Sequence, residues 1–483
     1  MSRIYTNVPS LIASHILGSN NTAMNTALER LSTGLRINKG KDDPAGLIAS
    51  ETLRGELKAI NAAIENARRA DNVIAVAEGA LQEVSSLLVE LEGLVDRTAN
   101  EAALSDEEVK ANQLQIDSIL ETLDRISTST EFQGKKLLNG EFDYITSGLV
   151  TGPAANEISY LQINSARIPN GGSRSVVVNV TQSAQTAKLI YAGATTGAGS
   201  KTIQISGKYG TEQLTFASNT TAANVAAAVV ACKALTGVSA TVSGTGANTR
   251  ILFHSTDYGS DAFVSVEAIS GTFTVSQTNG GPAATKDVGQ DVGANINGVA
   301  AVGKGLDLTI RTNGFSADMT LKASFATNTS STKTFYVTGG GADFSIAPTL
   351  GVNATASLGI QSVSTGSLGK AGIGFLSSLK TGQANQLASG NFETAQRIIR
   401  AASEQVSALR GRMGAFQKNT LASAINALQI AYENTSAAES AIRDADFAAE
   451  TSALTRAQIL VQSTSRSLAM ANAAPQNVLQ LLG

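Results

Sequence analysis

The chain has 483 residues, 42% of them hydrophobic but only 5% aromatic, with no Trp, one Cys and a formal net charge of −3. That length sets an expectation of about two to four domains with Ala- and Leu-based packing. A weak net charge without any Lys/Arg block argues against nucleic acid as a partner, and the lone Cys232 excludes an internal disulfide framework.

The opening MSRIYTNVPSLIASHILGSNN lacks the features of a secretory signal peptide. It has one Arg, its apolar residues are broken by Asn7, Pro9, Ser10, Ser14 and His15, and no small-residue cleavage site follows. No window holds the roughly 18 uninterrupted apolar residues of a membrane span. The expectation is a soluble chain with no membrane partner which, if exported, leaves by another route.

Residues 4–35 form an amphipathic segment, with Ile4, Val8, Leu11, Met24, Leu28, Leu31 and Leu35 at helical spacing. Its polar face is Asn, Ser and Thr, a composition that points to burial against other chains. With no intramolecular core to enter, such a segment is expected to order only on assembly. A turn through Gly34 and Gly40 leads to residues 39–95. There Leu53, Leu57, Ile60, Ile64, Ala67, Ile74, Leu81, Val84, Leu88, Leu91 and Val95 alternate steps of four and three, the seam of a coiled coil, interrupted by Asp71. Asp42 or Asp43 can cap this helix and Pro44 suits its first turn. At about 1.5 Å per residue it makes a rod of roughly 80 Å, too long to bury its stripe alone.

A second helix is predicted over 106–127, folding back as an antiparallel hairpin, and residues 142–168 alternate enough for a β-hairpin or extended arm. The middle is then rich in Gly, Thr, Ser and Val, with period-two strands expected at 176–180, 188–191, 202–205, 213–216, 238–242, 250–253, 264–266, 306–310 and 334–337. One Ala-rich helix, 222–235, interrupts them. After Gly369 the three-four alternation returns in Phe392, Ala395, Ile399, Ala402, Val406, Leu409, Met413 and Phe416, continuing through Leu421, Ile425, Leu428 and Tyr432. This second seam can cover the first. Residues 441–482 end the chain with another low-charge amphipath carrying Phe447, Leu454, Val461, Leu468 and Leu481.

The predicted fold is therefore multi-domain. An all-α coiled-coil or helical-bundle core is formed by paired N- and C-terminal segments, with an inserted mostly-β (α+β) outer region. Residues 1–40 and 446–483 are expected to form one part. Residues 41–168 with 370–445 form the coiled-coil domain, and 169–369 form the outer domain or domains.

Chemistry is sparse. His15 and His254 lie in different regions, and no HExxH or GxxxxGK[ST] pattern occurs. The Asp42/Asp43 and Asp444/Asp446 pairs are accounted for by helix capping. No catalytic, metal or cofactor site is expected, and no enzyme.

Two stretches resemble a known family. LSTGLRINKGKDDPAGLIAS (residues 31–50) resembles the N-terminal signature of bacterial flagellins, and AIRDADFAAETSALTRAQILVQSTSRSLAMANAAPQNVLQLL (441–482) resembles their C-terminal signature. The resemblance implies the extracellular structural subunit of the flagellar filament, a homopolymer exported unfolded by the flagellar type III apparatus. A chaperone would hold the C-terminal helix, and hook-associated junction and cap proteins would be partners. The nearest alternatives are a hook–filament junction protein, or a filament subunit whose outer domain also acts as an adhesin. On this reading Ile4, Val8, Leu11, Leu28, Leu31, Phe447, Leu454, Val461, Leu468 and Leu481 serve inner-core assembly. Leu35, Arg36, Lys41, Asp42, Asp43 and Pro44 form the signature turn.

One stretch departs from the family. Flagellins that activate the vertebrate Toll-like flagellin receptor resemble QRVRELAV, where this chain has VELEGLVD: Val89, Glu90, Leu91, Glu92, Gly93 and Leu94, then Val95 and Asp96. Glutamates replace both arginines, so weak activation of that receptor is expected.

Overall fold

The computed structural model describes residues 6–100, 104–149, 157–169, 172–278, 280–312, 314–351, 354–370 and 372–480. Its helices are α1 (Val8–Thr33), α2 (Pro44–Thr98), α3 (Asp106–Ser129), α4 (Ala222–Ala231), α5 (Lys233–Thr236), α6 (Ala323–Ala326), α7 (Phe392–Ala415), α8 (Ala422–Arg443) and α9 (Phe447–Gln480). Two compact units divide the chain. One comprises Met1–Arg69, Ser345–Leu350 and Thr420–Gly483; the other comprises Ala70–Phe344 and Gly351–Asn419.

In the first unit α1 starts where the Asn7 side chain accepts from the Ser10 amide (3.2 Å), and it ends at Gly34 with φ of 73°. It runs antiparallel to α9. Asn7 Nδ2 donates to the Ala471 carbonyl (2.8 Å), Ser10 Oγ to Asn472 Oδ1 (2.6 Å), and Arg30 pairs with Glu450 (2.9 Å). The two terminal segments thus have an intramolecular partner, contrary to the expectation drawn from their low charge. Asn7, Ser10, Asn20, Thr464 and Asn472 serve this contact between the two ends, whereas Thr22, Thr26 and Thr33 donate to carbonyls of their own helix. The first half of α2 packs Ile60, Ala63 and Ile64 against Leu428 of α8.

In the second unit the remainder of α2 buries Ile74, Ala77, Leu81, Val84, Leu88, Leu91 and Val95 almost completely. On α7, Ile399, Ala402, Val406, Leu409 and Met413 are buried likewise. The antiparallel register of the two helices is marked by Glu78–Arg410 (2.9 Å), Glu92–Arg400 (2.8 Å) and Asp96–Gln396 (2.9 Å). Asp71, the break in the seam, accepts from Gln417 Nε2 (3.0 Å). Gln417 lies in a π-helical turn, Phe416–Leu421, which takes up the five-residue step between the apolar positions Phe416 and Leu421. One window of α2 is long and apolar enough to cross a membrane by length and composition, a property of an Ala- and Leu-rich seam helix.

The polar residues of α3 do work that its apolar pattern does not reveal. Asp124 accepts from the Thr365 amide (2.8 Å) and hydroxyl (2.9 Å) and pairs with Lys380 (2.9 Å). Asp117 accepts from the Thr381 amide (3.0 Å), and Gln113 both donates to Leu379 O and accepts from Leu387 N. These residues lie four and seven apart, so they share one face and hold the irregular segment preceding α7.

An eight-stranded antiparallel sheet forms the main β layer. Its strand order is Tyr144–Ser147, Thr332–Gly340, Arg174–Gln182, Gly293–Ile296, Val299–Lys304, Asp307–Arg311, Phe315–Leu321 and Ile158–Ala166. Strands Tyr144–Ser147 and Ile158–Ala166 therefore stand at opposite edges and do not pair as a hairpin. Each finds a partner far along the chain, and the buried Tyr144 hydroxyl accepts from the Ala166 amide (2.9 Å). Two further four-stranded sheets with α4 and α5 make an inserted module with its own core, which includes Leu189, Ile205, Val225, Phe253 and Val264.

Candidate assembly surfaces

Half of each terminal helix is used by the other. Leu31 of α1 and Leu454, Val461 and Leu468 of α9 are half-buried, and Ala27 and Ala457 are buried. Val8, Leu11 and Leu28 of α1 and Phe447 of α9 instead stand exposed, Leu11 to 64% and Phe447 to 70%. Ile12, Ile16, Ile459, Leu460 and Met470, absent from the sequence-based set, are exposed with them. They were hidden in the sequence because apolar residues occupy more than one side of each helix, which blurs a single stripe. Ile4 and Leu481 lie outside the described residues.

The signature turn joins the ends of the first unit. Leu35 and Asp444 form a β-bridge, the Arg36 amide donates to Arg443 O (2.7 Å), and its guanidinium donates to Ile442 O (2.5 Å). Asp42 Oδ2 accepts the Asn38 (3.2 Å) and Lys39 (2.9 Å) amides. The Lys39 amide in particular holds the Asp42 carboxyl below the usual carboxylate range. Asp43 is the α2 cap, accepting from the Gly46 amide (2.9 Å), and Pro44 follows in the first turn. A Cβ at Gly46 would collide with the Asp43 carboxylate and lie 2.7 Å from Ile37 Cδ1, so the glycine is a packing requirement. Lys41 is exposed.

In the stretch from Val89 to Leu94, Leu91 and Leu94 are buried in the helical layer, Val89 is 67% exposed, and Glu92 is paired with Arg400. An incoming partner would meet Val89, Glu90, Glu92 and Gly93. Among the described residues, no group of three or more His, Cys, Asp or Glu could hold a metal ion.

Helical ends that pair with each other, leave apolar outer faces and frame a β insertion define a self-associating structural protein. Residues 4–143 match the bacterial flagellin N-terminal helical region, and residues 397–482 match the C-terminal helical region. The chain is 30% identical to a flagellin of Salmonella rubislaw over 99% of both chains, and 28% identical to flagellin D of Vibrio anguillarum, also over 99% of both. Among solved structures it is similar to flagellar hook associated protein-3 of Legionella pneumophila, at 13% identity and a TM-score of 0.30, covering 80% of this chain and 97% of that one. The chain belongs to the bacterial flagellin family. It is a structural subunit of the flagellar filament, which serves motility.

Proposed function

We propose that the exposed apolar faces of α1 and α9 are the surfaces through which successive copies stack into the inner filament wall. The observation that carries this reading is the set of large apolar residues left uncovered on both helices, from Val8 to Leu28 and from Phe447 to Met470. Isolated exposed apolar residues are ordinary, but a row such as Val8, Leu11, Ile12 and Ile16, spaced three and four apart along α1, marks an association surface. Heterologous contacts that do not close give an open helical polymer. Residues 1–40 and 446–483 would then form the inner core, 41–168 with 370–445 the layer around it, and 169–369 the outward surface. Deleting residues 1–35 or 446–483 leaves a monomer that does not polymerise, as seen by electron microscopy and sedimentation; normal filaments from either truncation would overturn the assignment.

The subunit functions outside the cell, having passed unfolded through the flagellar type III apparatus with a chaperone on the C-terminal helix. Junction and cap proteins are its partners at the filament ends. The absence of a convergent polar site in the sequence supports a purely structural role. The acidic Glu90 and Glu92 support weak engagement of the Toll-like flagellin receptor. A reporter-cell dose response equal to that of a strong agonist would sink this last reading.

A further inference from the structure

The inserted module leaves and rejoins the eight-stranded sheet at one place. Gln185 and Gln290 exchange both backbone hydrogen bonds, each 2.9 Å, and these two crossings alone would make a hinge. Residues 258–261 of the module, Tyr-Gly-Ser-Asp, add a second attachment. Tyr258 packs against the core of the large sheet. Gly259, at φ of +99°, donates its amide to Gln185 O (3.2 Å), and a Cβ there would lie 2.5 Å from both Gly305 Cα and Asp291 Oδ1. Ser260 donates its amide (2.9 Å) to one oxygen of Asp291 and its hydroxyl (2.6 Å) to the other. The Gly305 amide donates to the same carboxylate (2.7 Å), and Asp261 pairs with Lys304 (2.9 Å) at the surface.

Asp291 thus ties three parts of the chain together: the module loop, the turn after Val299–Lys304 and its own returning segment. Burial pushes its carboxyl up, but the Gly305 and Ser260 donors together hold it below the usual carboxylate range. Hydrogen bonds to an ionised acceptor are short and directional, and glycines at 259 and 305 let the two backbones touch without intervening side chains.

We propose that residues 258–260 are a clasp, with Asp291 as its hub, that locks the inserted module to the sheet domain in one orientation. The module is then a fixed part of the subunit and not a tethered appendage. This goes beyond filament assembly, which the terminal helices serve, and it stands or falls independently of it.

The test is single-molecule energy transfer on the full chain, in a Cys232→Ser background with dyes at Val242→Cys on the module and Tyr336→Cys on the large sheet. The parent gives one narrow peak. Asp291→Ala loses that peak for a broad distribution while far-UV circular dichroism is retained, and Ser260→Ala, which touches no backbone group, broadens it partially. Asp261→Ala removes only an exposed ion pair and leaves the peak narrow. Narrow peaks in both Asp291→Ala and Ser260→Ala would overturn the proposal, as would equal broadening in Asp261→Ala. Should Asp291→Ala lose its circular dichroism signal, the Ser260→Ala peak decides.

Discussion

The α2/α7 seam and the α1/α9 pair are both antiparallel helix contacts between distant parts of one chain, yet they finish differently. In the seam, Ile74, Leu81, Val84, Leu88 and Val406 are at or below 1% exposure, and polar exceptions such as Asp71 have partners. In the terminal pair, Ala27 and Ala457 are the buried apolar residues of the contact, while Ile16, Leu28, Phe447 and Ile459 remain 43–70% exposed. The seam is saturated within one chain; the terminal pair is half satisfied. The contrast separates residues that close the monomer from exposed residues that we propose bind other copies.

Cutting into the seam has the largest effect on the monomer. Leu88→Ala leaves a cavity in a closed layer and lowers unfolding stability by about 2–5 kcal/mol, read from urea titration of the monomer. Smaller effects come from the groups that fix where elements begin and lie. Asp43→Ala removes the cap of α2 and costs about 1 kcal/mol in the same measurement.

Asp124 tests the hold of α3 on the irregular segment preceding α7 and carries a pH signature. Burial pushes its carboxyl up, but the Thr365 donors and the Lys380 ammonium together bring it below the usual carboxylate range. A folded value below the unfolded one means the stabilisation is present above the unfolded pKa of about 3.9 and is lost as pH falls through the folded value. Asp124→Asn therefore lowers stability at pH 7 by about 1 kcal/mol, after discounting for solvent screening of a partly exposed group. The difference from the parent shrinks as pH falls below that of an ordinary carboxyl group. Equal differences at pH 7 and in strong acid would remove the charge from the account.

The smallest monomer effect belongs to the terminal face. Phe447→Ala changes monomer stability by no more than about 0.5 kcal/mol, as for an exposed position. The same variant raises the concentration needed for polymerisation, measured by sedimentation. An outcome in which Phe447→Ala melts the monomer like Leu88→Ala would erase the distinction between the two helix pairs.

Local order was legible because its signals are local. A three-four alternation marks a seam helix wherever it occurs, so α2 and α7 could be read from their own residues, and the Asp42-Asp43-Pro44 run marked the start of α2. The expected strands, from 176–180 to 334–337, all meet observed ones because each is a short run rich in β-branched, aliphatic or aromatic residues. Phe315–Leu321 lies outside the expected strands although Phe315, Ala317, Met319 and Leu321 alternate with Ser316, Asp318 and Thr320, and strands on both sides bury its apolar face.

By itself the sequence determined the helical ends, the β-rich middle and a turn capped by Asp42 or Asp43, since each depends on contacts a few residues apart. Tertiary structure alone decided that α1 and α9 pair within one chain, that Tyr144–Ser147 and Ile158–Ala166 occupy opposite sheet edges, and which carboxylates become hubs. Asp124 meets Thr365 and Arg30 meets Glu450 across hundreds of residues. No spacing rule encodes such a meeting, because it is selected by the packing of the whole chain against the entropy of closing its long loops.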